Sequence, residues 1–126
     1  MSKRIVILLL LNLFTASLFS QISWEELENR DGLVYTSGKE KPYTGKVLGS
    51  YDNGINKMEG SYVDGLMDGV WTYYYLDGIT KAKGQFFKGD GGNINELSGL
   101  PQNGRNGEWI IYYPSGNVNA KYQYDV

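Results

Sequence analysis

The carboxylates are the groups of this sequence that could do chemistry, because the 126-residue chain contains no histidine and no cysteine. Histidine is the commonest general base and metal ligand, and thiolates are needed for disulfides and soft-metal sites. A carboxylate serves acid–base catalysis when its pKa is raised or when a second carboxylate lies beside it. Asp64, Asp68, Asp77 and Asp90, however, each stand directly before a glycine. Because Asp before Gly is typical of tight turns, we interpret these four as structural residues.

One glycine-rich stretch, residues 88–93 (KGDGGN), has a composition similar to that of calcium loops. It lacks the spaced carboxylates of an EF-hand and the repetition of a calcium β-roll. The sequence also contains no nucleophile-elbow, Walker A or dinucleotide-binding motif. We therefore predict that the protein has no catalytic residue, no metal site and no cofactor, and that it is not an enzyme.

The elements that carry these turns repeat along the chain. Residues 68–78 (DGVWTYYYLDG) and 106–116 (NGEWIIYYPSG) are two versions of one pattern. Glycines and an aromatic residue of an earlier copy recur 24 residues later, and the pattern returns after a further 38 residues. Such periodicity indicates a repeat architecture. The predicted repeats lie at about 45–68, 69–89 and 107–126, with an insertion at 90–103.

Each repeat contains a turn dipeptide between strand-like runs: Asn53-Gly54, Asp77-Gly78 and Ser115-Gly116. Asn-Gly and Asp-Gly favour two-residue type I′ hairpins, in which both central residues have positive φ. Because side chains alternate along a strand, counting outward from the second turn assigns Lys81 to the same face as Tyr74, opposite the tryptophan. The predicted cross-strand pairs on the other face, which we expect to be the core, are Tyr75 with Thr80, Tyr73 with Ala82 and Trp71 with Gly84.

The pattern GxWxxYYxxG followed by KxxGxFxxG resembles the MORN repeat in its bacterial variant form. Residues 42–47 (PYTGKV) are similar to the lead-in of exported YwqK-type antitoxins, and the resemblance covers residues 42–126. The first copy has Val47 in the tryptophan position, and the third has Tyr122 in a glycine position. The resemblance implies an all-β fold, an extended, curved meander of repeated β-hairpins in a single sheet. It implies little about activity, because the motif residues build the scaffold.

The first 20 residues are typical of a secretory signal peptide. Lys3 and Arg4 precede an apolar run that reaches Phe19, and small residues lie near its end. We predict cleavage before Gln21 and an exported protein. The alternative is an uncleaved anchor helix, although the apolar run is shorter than the roughly 20 residues that span a bilayer.

Residues 21–41 are predicted to cap the repeats, since terminal caps are expected in repeat proteins. Ser23 followed three residues later by Glu26 is a capping-box pattern, which predicts a short N-terminal helix. Residues 32–35 (GLVY) predict a lead-in strand. The alternative is a disordered leader. In the capping interpretation, four residues cover the open end of the sheet: Trp24, Leu27, Leu33 and Tyr35.

Charge and surface composition indicate which partners the chain would accept. It has 12 basic and 14 acidic residues, and loss of residues 1–20 leaves 10 against 14, a net charge of −4. Nucleic acid and anionic membranes favour basic surfaces, so we predict binding to neither. Tyr74 and Tyr112 are equivalent outer-face positions and Ile110 shares their face, so these three are the predicted partner-binding residues. The alternatives are ordinary strand residues on a solvated sheet, or residues covered by the insertion.

Two functions remain open at this point. The first is an exported, non-enzymatic protein-interaction or scaffold module of the cell envelope. The second follows from the resemblance and is an antitoxin or immunity-like protein that neutralises a cognate protein. The insertion at 90–103 is expected to be a surface loop with partner-binding residues, because binding residues concentrate in loops. Its removal is expected to change stability little, since the cost of loop closure rises slowly with length.

Overall fold

The computed structural model describes residues 21–125, so the predicted signal peptide at 1–20 lies outside the described residues. In this range the chain forms nine β-strands and one 3-10 turn. That turn is the one helical element of residues 21–125, where nothing qualifies as a membrane-spanning helix. The strands are β1 (Gln21–Ser23), β2 (Leu27–Arg30), β3 (Leu33–Thr36), β4 (Gly45–Ser50), β5 (Asn56–Val63), β6 (Leu66–Tyr74), β7 (Thr80–Gly89), β8 (Arg105–Tyr112) and β9 (Val118–Tyr124).

Seven of these strands form one sheet in the order β1-β4-β5-β6-β7-β8-β9. From β4 to β9 each strand pairs antiparallel with the next strand of the chain, whereas β1 pairs parallel with β4. β2 and β3 form a separate two-stranded sheet. The prediction of a mostly β, meander-like fold is therefore confirmed, although the sheet is mixed and a second small sheet accompanies it.

The predicted N-terminal helix is reduced to a single 3-10 turn at Trp24–Glu26. Ser23 makes no side-chain capping hydrogen bond, and the chain is extended again at Leu27, with φ −93° and ψ 143°. Residues on both sides of the turn pair as strands, with β4 and with β3. Strand pairing satisfies the backbone groups that a helix would otherwise need, so tertiary context overrides the capping pattern.

The hairpin turns differ from the predicted type. In the second repeat the Tyr75 N–H donates to the Ile79 carbonyl at 2.8 Å, and the Gly78 N–H donates to the Tyr75 carbonyl at 2.9 Å. Within the dipeptide only Gly78 has a positive φ, of 91°, so the loop is a three-residue type I turn with a glycine bulge. The other two repeat hairpins have the same two hydrogen bonds. The predicted type I′ turns at these dipeptides are therefore wrong.

Type I′ turns do occur, but in other connections: Asp31-Gly32 joins β2 to β3, and Asp64-Gly65 joins β5 to β6. Asp64 and Gly65 have φ values of 49° and 83°, and the flanking residues Val63 and Leu66 pair directly. Both central residues thus have the positive φ that defines this turn in two-residue hairpins.

Each three-residue loop is followed by a further β-bulge in the second strand of its hairpin. In the second repeat Tyr74 pairs with Thr80 and Tyr73 pairs with Ala82, so Lys81 is the extra residue. A bulge re-aims the side chain of the extra residue. This is why Lys81, predicted on the outer face, lines the inner side of the sheet. The equivalent extra residues of the first and third repeats are Lys57 and Asn119.

The loop has three residues where two were predicted, and the bulge adds one residue to the opposite strand. The two changes cancel, so the predicted pairing register is restored beyond the bulge. The pair next to the turn, Tyr75 with Thr80, is wrong. The predicted pairs farther from the turn are confirmed: Tyr73 with Ala82 and Trp71 with Gly84.

The tryptophan rings join neighbouring repeats. Trp71 packs over Gly60 of the preceding repeat, and its Nε1–H donates to the Ser61 carbonyl at 3.1 Å. Trp109 packs over Gly84 in the same way, with a 2.9 Å hydrogen bond to a carbonyl of β7. A Cβ atom on Gly84 would lie 2.1 Å from the Trp109 ring, so only glycine fits beneath it. Each ring therefore packs on the glycine of the repeat before it.

The inner face of the sheet holds the core, as predicted from the repeat. Trp71 and Trp109 are 1% and 0% exposed. The buried hydrophobic residues are Val47, Met58, Tyr62, Met67, Trp71, Tyr73, Ala82, Phe86, Leu100 and Trp109.

The N-terminal segment covers one part of this face. Leu27 and Val34 pack against the core, and the Val34 N–H donates to the Gly65 carbonyl at 3.0 Å. Tyr35, predicted as a covering residue, instead has the Arg30 guanidinium 4.4 Å from its ring centroid. The segment is thus attached to the inner face through Leu27 of β2 and Val34 of β3.

Candidate functional site

The outer face of the sheet carries the three predicted partner-binding residues, all of them half-buried. Ile110 and Tyr112 lie together on β8, whereas Tyr74 lies on β6, and β7 separates the two strands. The Tyr74 hydroxyl donates to the Glu59 carboxylate at 2.7 Å. Burial, assisted by this hydrogen bond, raises the pKa of Tyr74 to about 12. The hydroxyl is therefore engaged within the protein, and partner binding by this face stays a prediction.

The insertion loop, residues 90–103, is anchored to the inner side of the sheet. Leu100 is 5% exposed and belongs to the core. The Lys81 ammonium donates to the Ser98 carbonyl at 2.6 Å, and Arg105 Nε donates to the Pro101 carbonyl at 3.0 Å. The expectation of a purely surface excursion is therefore wrong, because one of its three apolar residues is a core residue.

The tip of the insertion loop is held by its own hydrogen bonds. Asn95 Oδ1 accepts hydrogen bonds from the N–H groups of Leu97 and of the next residue, both at 3.0 Å. The Asn95 N–H donates to the Leu100 carbonyl, also at 3.0 Å. Nevertheless Leu97 is 99% exposed and Ile94 is 53% exposed. An ordered loop therefore presents two apolar side chains to solvent.

A cavity of about 540 Å³, the inner groove, lies between the inner face, the N-terminal segment and the insertion loop. Its floor is apolar and aromatic and consists of Met58, Tyr62, Met67, Trp71 and Tyr73. Its walls include Trp24, Leu27 and Val34 on one side and Ile94, Leu100 and Pro101 on the other. This volume is in the range of about 300–1,000 Å³ that is usual for small-molecule pockets.

Two lysines line the inner groove at equivalent positions of the first and second repeats. Lys57 Nζ lies 5.7 Å from the ring centroid of Tyr51, and Lys81 Nζ lies 5.9 Å from that of Tyr75. Burial lowers the pKa of Lys81, and the positive charge of Lys57 lowers it further. The two ammonium groups, called the groove lysines below, thus belong to side chains that line one cavity.

The carboxylates that line the same groove have other partners. Glu28 forms an ion pair with Arg30. Asp90 accepts hydrogen bonds from the Gly92 N–H at 2.8 Å and from Asn103 Nδ2 at 3.1 Å, and these bonds lower the pKa of Asp90. Within residues 21–125, Arg30 with Glu28 is the only ion pair. Neither groove lysine therefore forms an ion pair with a described carboxylate.

Three of the four predicted turn aspartates lie in turns or loops, whereas the prediction is wrong for Asp68, which lies within β6 and pairs with Ser61. Asp77 Oδ1 accepts a hydrogen bond from the Ile79 N–H at 3.1 Å, and Asp64 occupies the left-handed conformation of a tight turn. Among the residues that the structure describes, no three acidic side chains are grouped to hold a metal ion. The carboxylates of Asp77 and Asp90 thus accept hydrogen bonds within their own loops.

Comparison with protein-family models gives no match, and comparison with curated proteins and with solved structures gives no significant match. The resemblance to MORN repeats and to YwqK-type antitoxins therefore stays a prediction.

Two features of the site were missed from the sequence. The groove lysines recur in the stretches NGINK and DGITK, residues 53–57 and 77–81, so their spacing of 24 was a visible signal. The bulge that turns them inward was not visible, because no residue type in these stretches is specific to it. The second missed feature is the burial of Leu100. The spacing of Ile94, Leu97 and Leu100 does not distinguish the buried residue from the exposed ones.

Proposed function

We propose that this chain is an exported, non-enzymatic protein-binding module whose recognition element is the insertion loop. Export is supported by the signal-peptide pattern of residues 1–20. A non-enzymatic role is supported by the turn or loop positions of Asp64, Asp77 and Asp90 and by the lack of histidine and cysteine in the sequence. The repeats then serve as the frame that holds the loop.

The observation that carries this proposal is the exposure of Leu97, which is 99%, on a hydrogen-bonded loop. Single exposed apolar residues are common on protein surfaces and need no explanation by themselves. Here, however, Ile94 is also exposed, and Leu100 anchors the same loop in the core. A preordered loop loses little conformational entropy on binding, which favours its use as a recognition element.

The chemistry of the loop defines the partner. Leu97 and Ile94 have uncharged aliphatic side chains. The complementary surface is therefore an apolar pocket on another protein that admits a leucine side chain. Neither nucleic acid nor an anionic membrane fits, since the loop contributes Asp90 and Glu96 and no basic residue. A protein partner is therefore the class that the loop favours.

The experiment is quantitative capture of the partner from the cell envelope by the tagged chain without residues 1–20. Leu97→Asp is the test variant, and Val70→Asp is the matched control, because Val70 is 50% exposed on the outer face of β6. We expect Leu97→Asp to weaken binding by about 2 kcal/mol or more, as for an interface hot spot, and Val70→Asp to bind normally. Equal binding by the two variants would contradict the proposal.

A further inference from the structure

We propose that the inner groove binds a small amphipathic anion, with its apolar body on the aromatic floor and its negatively charged head between Lys57 and Lys81. This ligand site does not include Leu97, the most exposed residue of the proposed protein-binding loop. It is carried by the shape and composition of the groove, by the geometry of the bulges and by the local charge.

The floor of the groove suits an apolar body. Met58 and Met67 are flexible and polarisable, so they adapt to irregular shapes. Trp71 and Tyr73 are stacked, with ring centroids 6.2 Å apart, and offer a flat aromatic surface. The cavity of about 540 Å³ has room for a chain or ring system of a small molecule.

The groove lysines are placed to bind the negatively charged head group of the ligand. Each is the extra residue of a bulge, and a bulge re-aims its side chain toward the inner side of the sheet. Each ammonium also lies beside a tyrosine ring of its own repeat, which limits its freedom through a cation–π contact. An ammonium has three donors, and Lys81 uses one of them on the Ser98 carbonyl, so donors remain for a ligand.

Charge complementarity determines the sign of the charge on the ligand. The chain without residues 1–20 has a net charge of −4, but the groove carries two ammonium groups, and neither forms an ion pair with a described carboxylate. An anion in the groove would be attracted by both ammonium groups, whereas a cation would be repelled by them. A carboxylate is the simplest head that accepts hydrogen bonds from two ammonium groups at once.

The test uses the chain without residues 1–20 and a fluorescent probe with the required chemistry, anilinonaphthalene sulfonate. Decanoate, kept below its micelle concentration, and decylammonium are then compared as competitors, because they share one apolar chain and differ in the sign of the head. We expect the probe to bind, decanoate to displace it, and decylammonium to displace it at least about tenfold less effectively. Equal displacement by the two compounds would overturn the assigned role of the lysines.

The variant Lys57→Gln with Lys81→Gln tests the residues themselves. Its matched control is Lys46→Gln with Lys83→Gln, which removes the same charge from exposed positions on the opposite face. We expect the groove variant to bind decanoate about tenfold or more weakly, and the control to bind as the parent does. Both variants must melt as the parent does, because the probe also binds partly unfolded protein.

A second comparison separates this inference from the proposed protein-binding function. The variant Leu97→Asp is expected to lose its protein partner and to keep decanoate binding, because Leu97 does not line the groove. Unchanged decanoate binding by the variant lacking the groove lysines would overturn the ligand site and leave the proposal for the insertion loop untouched.

Discussion

Replacement of Leu100 by alanine tests whether the insertion loop is anchored in the core. The side chain is 5% exposed, so the substitution removes about three buried carbon groups. At about 0.8 kcal/mol for each group, the loss of burial is roughly 2.4 kcal/mol. The cavity term adds little, because Leu100 also lines the inner groove, which is already open space. We therefore expect the free energy of unfolding to fall by about 2–3 kcal/mol.

Leu97→Ala is the matched control, since the same substitution is made three residues away at a side chain that is 99% exposed. It should change stability by no more than about 0.5 kcal/mol. Urea unfolding followed by tryptophan fluorescence measures the free energy of unfolding of both variants. An unchanged m-value would show that the substitutions change stability and not the surface exposed on unfolding. Equal effects of the two substitutions would refute the assignment of Leu100 to the core. On the same reasoning, deletion of residues 90–103 should destabilise the protein at least as much as Leu100→Ala.

Three further predictions follow from the same structure. Trp71→Ala and Trp109→Ala should each lower the free energy of unfolding by about 3–5 kcal/mol, as for large core aromatics, and Tyr74→Ala should cost clearly less in the same denaturant melt, since Tyr74 is half-buried. Glu59→Gln should lower the pKa of Tyr74 from about 12, because it removes a charged hydrogen-bond acceptor while burial remains; the tyrosinate absorbance of the variant, titrated beside Tyr74→Phe, measures this shift. Intact mass of the exported protein should correspond to a chain that begins at Gln21, and retention of Met1 in a cytosolic fraction would contradict export.

The repeat pattern explains why much of the fold was predictable. Glycine and aromatic positions at a constant spacing predicted the hairpins, the buried face and the pairs Trp71 with Gly84 and Tyr73 with Ala82, all of which the structure contains. The pattern could not distinguish turn types, because Asp-Gly occupies a type I′ turn at 64–65 and a type I turn with a glycine bulge at 77–78. In the second case the Asp77 side chain binds the Ile79 N–H, a local contact that the dipeptide alone does not predict.

The candidate site was less predictable, because it depends on tertiary contacts. The direction in which Trp71 leans, toward Gly60, is set by the neighbouring repeat. The inward position of Lys81 depends on a bulge that compensates for loop length. The burial of Leu100 depends on how the insertion loop returns to the sheet. Periodicity assigns residues to faces within a regular strand, and each of these features arises where the strand is irregular or where two separate segments meet.

The measurement that tests the central claim most directly is site-specific photocross-linking in living cells. A photoreactive amino acid is placed at position 97 on the insertion loop or at position 112 on the outer face, and the adducts are identified by mass spectrometry. We expect one defined protein adduct from position 97 and none from position 112. An adduct from position 112 with none from position 97 would contradict the account and would assign recognition to the face that carries Tyr74, Ile110 and Tyr112.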